Sequence, residues 1–263
     1  MSEHLFNVEQ YTKHKIKIAS NYHNFNFLRA EVAQRLLTRI TLLKHTINNA
    51  LDVGCFSGEV ANILSSQYNI HDITNIDITS QFQQEHGKIH TTNSYYKLDF
   101  PDNSFDLITS VFSLHHYPDL DKILQEMYRI LRPGKCILIS LPMIGSYANL
   151  FESIELAEYE LFRSYHPRFV PLMDVKTFGN LIQTTKFKET VTDDESLTIM
   201  YSKFKSIFQD LIAMGEAQDG KLFSSPQNKK IYSKAKHNIM KKYLKDNHLP
   251  LTVNIGNAIA WKV

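Results

Sequence analysis

Residues 51–64, LDVGCFSGEVANIL, constrain the fold of this chain more than any other stretch. A short apolar strand runs into a turn with two glycines, and a helical pattern follows at once. This order is typical of a loop that cradles a nucleotide cofactor, because glycines let the backbone approach the ligand closely. Phe56 stands where such a loop usually has its middle glycine, so an ordinary strand–turn–helix is the alternative interpretation.

Short apolar strands alternate with amphipathic helices in the residues that follow. ITNIDI, FDLITSVF and CILISL have the strand pattern, whereas Glu59–Gln67 and Asp119–Leu131 have apolar residues at helical spacing. Strand–helix alternation with short connections predicts an α/β fold in which helices cover both faces of a parallel sheet.

The sequence predicts a single domain over residues 1–263, because no stretch rich in Pro, Gly or Ser separates its parts. We expect N-terminal helices in residues 1–45, a cofactor-binding core in residues 46–142 and a substrate-side elaboration in residues 143–263. Within the last part, ETVTDDESLTIMY predicts strand–turn–strand, the segment from about Gln227 predicts a Lys-rich helix, and LTVNIGNAIAWKV predicts a terminal strand.

Carboxylates and glycines lie at the ends of the first two predicted strands. Asp52, Gly54 and Gly58 surround the first turn, and Asp77 ends the next strand. In an open parallel sheet a carboxylate about 20 residues beyond the glycine turn can hold a ribose. The spacing G-x-x-x-G argues against a nicotinamide dehydrogenase, whose loop has the spacing G-x-G-x-x-G. The missing G-K-[ST] excludes a phosphate-binding NTPase loop.

Several motifs together resemble those of the seven-stranded S-adenosylmethionine (SAM)-dependent methyltransferases. LDVGCFSG is similar to their first motif, usually written LDLGCGTG, and FPDNSFDLITSVFSLHHYPDLDKILQEMYRILRPGKCILIS resembles their fourth-strand and fifth-strand region. The resemblance implies SAM as cofactor and a Rossmann-like sheet of seven strands with helices on both faces. It also implies an N-terminal helical lid and a helical insertion before the last strand.

The resemblance assigns the cofactor-binding residues. Asp52 would orient the methionine ammonium of SAM, Asp77 would hold both ribose hydroxyls, and Gly54 and Gly58 would let the backbone pass the cofactor. The remaining cofactor-site residues on this basis are Cys55, Ile78, Ser94, Tyr95 and Ser110. Ser94 and Tyr95 occupy the loop that normally offers an Asp to the adenine amine, so Tyr95 would cover the ring instead.

Three glycines of the family pattern are replaced here, by Phe56, Lys135 and Lys186. Nine glycines in 263 residues is about half the usual ~7%. Loss of glycine at tolerant positions therefore explains the replacements, and loss of SAM affinity is the alternative.

The C-terminal half resembles one branch of the family. GSYANLFESIELAE, DLIAMGEA and the terminal AIAWK are similar to the malonyl-acyl-carrier-protein O-methyltransferases and to a related respiratory complex I assembly factor, regarded as a protein-arginine hydroxylase. Three functions follow: O-methylation of a carrier-bound carboxylate, which we favour, modification of a respiratory-complex subunit, and SAM binding without catalysis.

Three residues are candidates for the substrate side of the site. His115 follows the fourth strand, with His116 and Tyr117 beside it, and its alternative role is a polar helix-start residue. Arg168, in the proline-stiffened segment HPRFVP, could fix a carboxylate or be a surface arginine. Tyr11 could belong to a lid that closes over SAM.

The segment Lys229–Lys245 carries seven lysines against no acid, with Asp246 directly after it. It is either a solvated helix face or a docking surface for an acidic partner, such as an acyl carrier protein or a respiratory-complex subunit. The net charge of +2 is too small to indicate that the protein as a whole binds nucleic acid.

No metal site, targeting signal or membrane span is predicted. The two cysteines, Cys55 and Cys136, form no metal-ligand pattern, and no apolar run approaches the ~20 residues of a membrane span. The expected location is the cytoplasm.

Overall fold

The computed structural model describes residues 8–86, 89–92, 96–164, 170–217 and 225–263. Its strands are β1 (Asn49–Val53), β2 (Asp72–Asp77), β3 (Ile89–Thr91), β4 (Phe105–Val111), β5 (Leu131–Pro142), β6 (Lys188–Tyr201) and β7 (Leu249–Lys262). Its helices are α1 (Val8–Ala19), α2 (Phe27–Leu37), α3 (Glu59–Tyr68), α4 (Leu120–Ile130), α5 (Ala148–Phe162), α6 (Val175–Thr184), α7 (Phe204–Ala213) and α8 (Pro226–Tyr243).

The strands form one seven-stranded sheet in the order β3-β2-β1-β4-β5-β7-β6. Strands β1 to β5 are parallel, and β7 is antiparallel to both of its neighbours. Strand order reverses at β1, which pairs with β2 on one side and β4 on the other. Ligands bind at the carboxyl ends of the strands at such a reversal, so the sheet places the site where Asp52 and Asp77 lie.

Helices cover both faces of the sheet, as predicted. Leu107 of β4 belongs to a core cluster that includes residues of α2, α3, α5, α7 and α8, whereas its neighbour Ile108 belongs to a second cluster with residues of α4 and α6. Because successive side chains of a strand point to opposite faces, the central strand β4 is buried along its whole length. No helix in the described ranges is long and apolar enough to span a membrane.

Strand β6 corrects one prediction. Residues 188–201 form a single strand instead of strand–turn–strand, and they pair with β7 along almost their whole length. The polar run TDDES resembles a turn, yet Asp193 and Glu195 form ion pairs with Arg39 and Arg35 at 2.7 and 2.8 Å. Because the two arginines pair with these acidic side chains, Asp193 and Glu195 are accommodated on an edge strand, and the strand continues without a turn.

Two predicted additions to the sheet are confirmed. Helices α7 and α8 lie between β6 and β7, which is the helical insertion before the last strand. Helix α1 lies over the turn that follows β1, where Ile18 and Ala19 pack with Phe56. The N-terminal region is thus a lid on the carboxyl ends of the strands.

Candidate active site

The turn after β1 is held by backbone hydrogen bonds to β2. The amides of Gly54 and Cys55 donate to the carbonyl oxygen of Ile76 at 2.8 and 3.1 Å, and the amide of Gly58 donates to Cys55 at 2.9 Å. Gly54 and Gly58 have φ angles of +72° and +82°, which L side chains rarely adopt. These glycines form the turn that the sequence pattern predicts.

Gly54 also allows a close approach between two strand ends. A Cβ atom at this position would lie 1.8 Å from the hydroxyl oxygen of Ser113, which starts the short helical turn after β4. The absence of a side chain therefore brings the β1 turn against the segment that carries His115 and His116.

Asp52 is fully buried between β4 and α2. One of its carboxylate oxygens accepts a hydrogen bond from Thr109 at 2.9 Å, and the other lies 3.6 Å from the guanidinium of Arg29. The second oxygen has no hydrogen-bond partner among the described residues. Burial raises the pKa of Asp52 to about 6, although the charge of Arg29 opposes this shift.

Asp77 is fixed at the end of β2 by two backbone amides. The amide of Ile78 donates to one carboxylate oxygen at 2.7 Å, and the amide of Phe56 donates to the other at 3.1 Å. The second contact links the carboxylate directly to the glycine turn. Asp77 therefore stands where a ribose diol would be held.

Lys15 of the lid helix forms an ion pair with the Asp77 carboxylate. Its Nζ lies 2.7 Å from both oxygens of Asp77, and the two side chains are 2% and 0% exposed. Burial lowers the pKa of Lys15, while the charge of Asp77 opposes the shift. One ammonium supplies the two donors that a ribose diol would supply.

Phe56 lies beneath Lys15 in an aromatic cluster. Its ring is 4.9 Å from that of Tyr22 and 5.3 Å from that of Phe82, and the side chain is 1% exposed. The Nζ of Lys15 is 3.7 Å from the ring centroid, and the Cζ of Arg29 is 4.7 Å from it. Since these cations contact Asp77 and Asp52, the ring fills the space between the two carboxylates.

The substrate side of the site contains a cluster of histidines. The Nε2 of His115 lies 3.1 Å from a carboxylate oxygen of Glu216, and the rings of His115 and His116 are 3.8 Å apart. The ring of Tyr11 lies 4.4 Å from that of His116. Burial, reinforced by His115, lowers the pKa of His116 well below its ordinary value.

An apolar pocket of about 270 Å³ opens beside His115. Leu114 lines it from the segment after β4, and Leu141 and Pro142 line it from the carboxyl end of β5. Leu172 and Met173 close it from the chain before α6. Apolar side chains at the mouth of a site fit the hydrocarbon part of a substrate.

Residues 51–139 match the family model described as a methyltransferase domain. They span the glycine turn, both carboxylates and the histidine pair. Residues 51–139 are a methyltransferase domain. The match confirms, for this region, the resemblance to the SAM-dependent methyltransferases.

The methyltransferase domain and its flanking regions have relatives in two functional groups. The chain is 24% identical over 254 residues to the rat (Rattus norvegicus) arginine-hydroxylase NDUFAF5, mitochondrial, covering 90% of this chain and 71% of that protein. It is 26% identical over 197 residues to malonyl-[acyl-carrier protein] O-methyltransferase 1 of Coxiella burnetii, covering 75% and 67%.

A solved structure shows the same fold. A candidate methyltransferase from Bacillus halodurans superposes with a TM-score of 0.58 and 17% identity, covering 88% of this chain and 98% of that one. At this identity the likeness concerns the fold alone.

The cradle of the methyltransferase domain fits SAM, but the described conformation closes it. Neither glycine adds a side chain to the turn, and the Asp52 oxygen that accepts no hydrogen bond within the described residues would accept one from the methionine ammonium. Lys15 and Phe56 occupy the space between Asp52 and Asp77. SAM held between Asp52 and Asp77, as the resemblance implies, would therefore require α1 and the Phe56 ring to move.

The structure places the other predicted residues as follows. Cys55 is buried, with its Sγ 3.1 Å from the side-chain amide of Gln84, and Ile78 contributes the backbone amide that fixes Asp77. The hydroxyl of Ser110 donates to the carbonyl oxygen of Val53 in β1 at 2.8 Å, and its contact with the methionine moiety stays a prediction. The positions of Ser94, Tyr95 and Arg168 lie outside the described residues.

Three residues of the site were missed by sequence reasoning. Lys15 has a signal in the sequence, because it shares a helix face with Tyr11 and Ile18 and is therefore a lysine on a buried face. Arg29 likewise lies on the buried face of α2. Glu216 has no such signal, because it follows α7 and meets His115 only through the tertiary fold.

Proposed function

We propose that this methyltransferase acts on the carboxylate of a carrier-bound acyl group, such as malonyl-acyl carrier protein. The apolar pocket beside His115 supports this proposal. It lies at the carboxyl ends of β4 and β5, next to the cofactor cradle, and its lining suits an acyl chain better than a charged peptide side chain.

Methyl transfer to a carboxylate requires little of the protein beyond alignment of the methyl donor with the acceptor. SAM supplies a methyl group that its sulfonium has already activated, and a carboxylate is a nucleophile at neutral pH. No general base is needed, so orientation and exclusion of water provide the acceleration. Tyr11, on the lid helix, and His115, at the pocket mouth, are the residues that exclude water and position the acceptor.

Helix α8 supports docking of an acidic carrier. Lys234 and Lys242 form ion pairs with Glu160 and Glu152 of α5 at the flank of the helix. The other lysines on α8 are exposed, namely Lys229, Lys230, Lys236 and Lys241. A patch of one sign attracts a partner of the opposite sign and is sensitive to ionic strength.

The acceptor is tested with labelled SAM and malonyl-acyl carrier protein. We expect S-adenosylhomocysteine and a methyl ester on the acyl group, with less product from His115→Ala than from the matched surface variant His71→Ala. Binding of SAM without methylation of malonyl or other acyl carriers would contradict the proposed acceptor.

Docking is tested separately by charge reversal. Lys236→Glu combined with Lys241→Glu should raise the Michaelis constant for the carrier-bound substrate and leave that for SAM unchanged. Lys176→Glu combined with Lys188→Glu makes the same change in net charge outside α8, and it should have little effect. Equal constants in both double variants would exclude α8 as the docking surface.

Modification of a protein arginine is a second candidate, favoured by the closure of the cradle. The NDUFAF5 relatives carry the name of an arginine-hydroxylase, and their similarity covers 90% of this chain. Calorimetry separates the candidates: no SAM binding at millimolar cofactor would remove the methyltransferase proposal and leave arginine modification or a binding module.

The cytoplasmic location of this protein stays a prediction. The word mitochondrial occurs in the names of the NDUFAF5 relatives and is said of those proteins.

A further inference from the structure

Three potential metal ligands meet on the substrate side of the site. His115, His116 and Glu216 each offer one ligand atom, and these atoms all lie within 4.8 Å of one another. The side chains of His115 and Glu216 are only 5% and 7% exposed, and His116 is 3% exposed. Two imidazoles and a carboxylate are thus gathered where water has little access.

The elements that carry these residues fix the arrangement. His115 and His116 belong to the helical turn 114–116, which the close approach of Gly54 and Ser113 holds against β1. Glu216 follows Gly215, whose φ of +87° ends α7 and turns the chain toward the histidines. The ligands come from two separate segments, so the tertiary fold itself brings them together.

The distances require little adjustment to hold an ion. Bonds of about 2.0–2.2 Å to nitrogen and oxygen place neighbouring ligand atoms roughly 3–3.5 Å apart. The pair formed by His115 and Glu216 is already at 3.1 Å. No pair of ligand atoms is more than 4.8 Å apart, so the most distant pair has to close by at most about 1.3–1.8 Å, which is within the reach of side-chain rotation.

The ring of His115 has a further polar atom without a partner. Its Nδ1 is buried and has no hydrogen bond among the described residues, although the side chain is almost fully enclosed. A buried polar atom of this kind requires an explanation, and a bound ion supplies one. Either nitrogen of an imidazole can ligate a metal.

A small cavity borders the three ligands. Tyr147, Phe151 and Leu172 line it together with the His115, His116 and Glu216 side chains. An ion with three protein ligands keeps open positions, and this cavity is where a further oxygen ligand could reach it.

We propose that His115, His116 and Glu216 bind a first-row divalent transition ion on the substrate side of the methyltransferase site. Two imidazoles with one carboxylate and open positions form the donor set of non-haem iron(II) centres, and zinc(II) uses the same donors. The proposal departs from the sequence, which predicts no metal site, because the third ligand lies about 100 residues from the first two.

The test uses the untagged 263-residue chain after treatment with a chelator. Calorimetry with Zn²⁺ and visible absorption with Co²⁺ should each report one ion per chain. Loss of a partner of a metal ligand already lowers affinity by about 10–100-fold, so Glu216→Gln and His116→Gln should each lower it at least as much. His71→Gln changes an exposed histidine outside the cluster and should bind normally.

X-ray absorption of the zinc-loaded wild-type chain provides a readout that needs no variant to fold. The spectrum should show scattering from two imidazoles. Absence of stoichiometric binding, equal affinity in the cluster variants and the His71 control, or a spectrum without imidazole ligands would each overturn the proposal.

Discussion

Lys15 and Asp77 form a buried ion pair inside the cofactor cradle, with the ammonium 2.7 Å from each carboxylate oxygen. If Asp77 holds the ribose of SAM, as the resemblance implies, the lid helix and the ribose compete for one carboxylate. A protein that must open before it binds shows an affinity reduced by the fraction of open molecules. The strength of this ion pair thus sets the apparent affinity for SAM.

Lys15→Met should raise the affinity for SAM several-fold. The substitution keeps the length of the side chain but removes the ammonium, so the closed state leaves Asp77 buried without its charge partner and becomes less populated. Calorimetry gives the dissociation constant. Lys13→Met is the matched control, because Lys13 is exposed on the same helix and its ion pair within the described ranges is with Glu9. Weaker binding by Lys15→Met would show that Lys15 holds the cofactor instead of competing with it.

Asp77→Ala should weaken SAM binding at least tenfold, because it removes the acceptor for the ribose hydroxyls. In the wild-type chain the same change also releases Lys15, which favours opening. The loss should therefore be larger in a Lys15→Met background than in the wild type, and a thermodynamic cycle of four proteins measures the difference. Unchanged affinity in both backgrounds would place the ribose elsewhere.

Phe56→Gly should raise SAM affinity while lowering stability. The change removes a ring that fills the cradle, and loss of a buried Phe costs about 3–5 kcal/mol of unfolding free energy. Phe56 has a φ of +47°, so glycine regains about 1 kcal/mol that Phe56→Ala does not. Both variants should bind SAM more tightly, with the glycine variant the more stable in denaturant titrations. If neither binds more tightly, the ring does not obstruct the cofactor.

Gly54→Ala should destabilise the chain far more than Gly134→Ala. Both glycines have positive φ angles, +72° and +76°. A Cβ at Gly54 would collide with Ser113, whereas a Cβ at Gly134 meets nothing within 4 Å. Both variants share the backbone strain of a positive φ angle, so the difference between them measures the effect of the steric clash with Ser113. Thermal unfolding with and without SAM measures it, and similar losses in both variants would mean that the close approach to Ser113 is unimportant.

The sequence could predict the sheet and both carboxylates because local patterns encode them. Apolar strands with flanking glycines place Asp52 and Asp77 at strand ends, whatever the rest of the chain does. The TDDES run of β6 misled the prediction, since acids on an edge strand find arginine partners that only the folded chain provides.

The closure of the cradle could not be predicted from local patterns. The helix face that carries Lys15 indicates burial, but its pairing with Asp77 depends on how α1 docks. That docking involves a hydrogen-bonding contact of 3.0 Å between His14 and the carbonyl oxygen of Ile212. The meeting of His115 with Glu216 likewise depends on α7. Tertiary packing therefore determines the state of the site, while the sequence pattern determines its location.

Asp52→Asn should change the pH dependence of stability between about pH 4 and 6. Burial raises the pKa of Asp52 from 3.8 to about 6 in the folded chain, so the folded state binds more protons at this group than the unfolded state does in that range. The contribution of Asp52 to the unfolding free energy therefore falls as pH rises, by roughly 3 kcal/mol in total, and is regained on acidification. The wild type should gain stability relative to Asp52→Asn as pH is lowered from 7 to 4, measured by urea unfolding at each pH. A difference that stays constant across this range would show that Asp52 keeps its ordinary pKa beside Arg29.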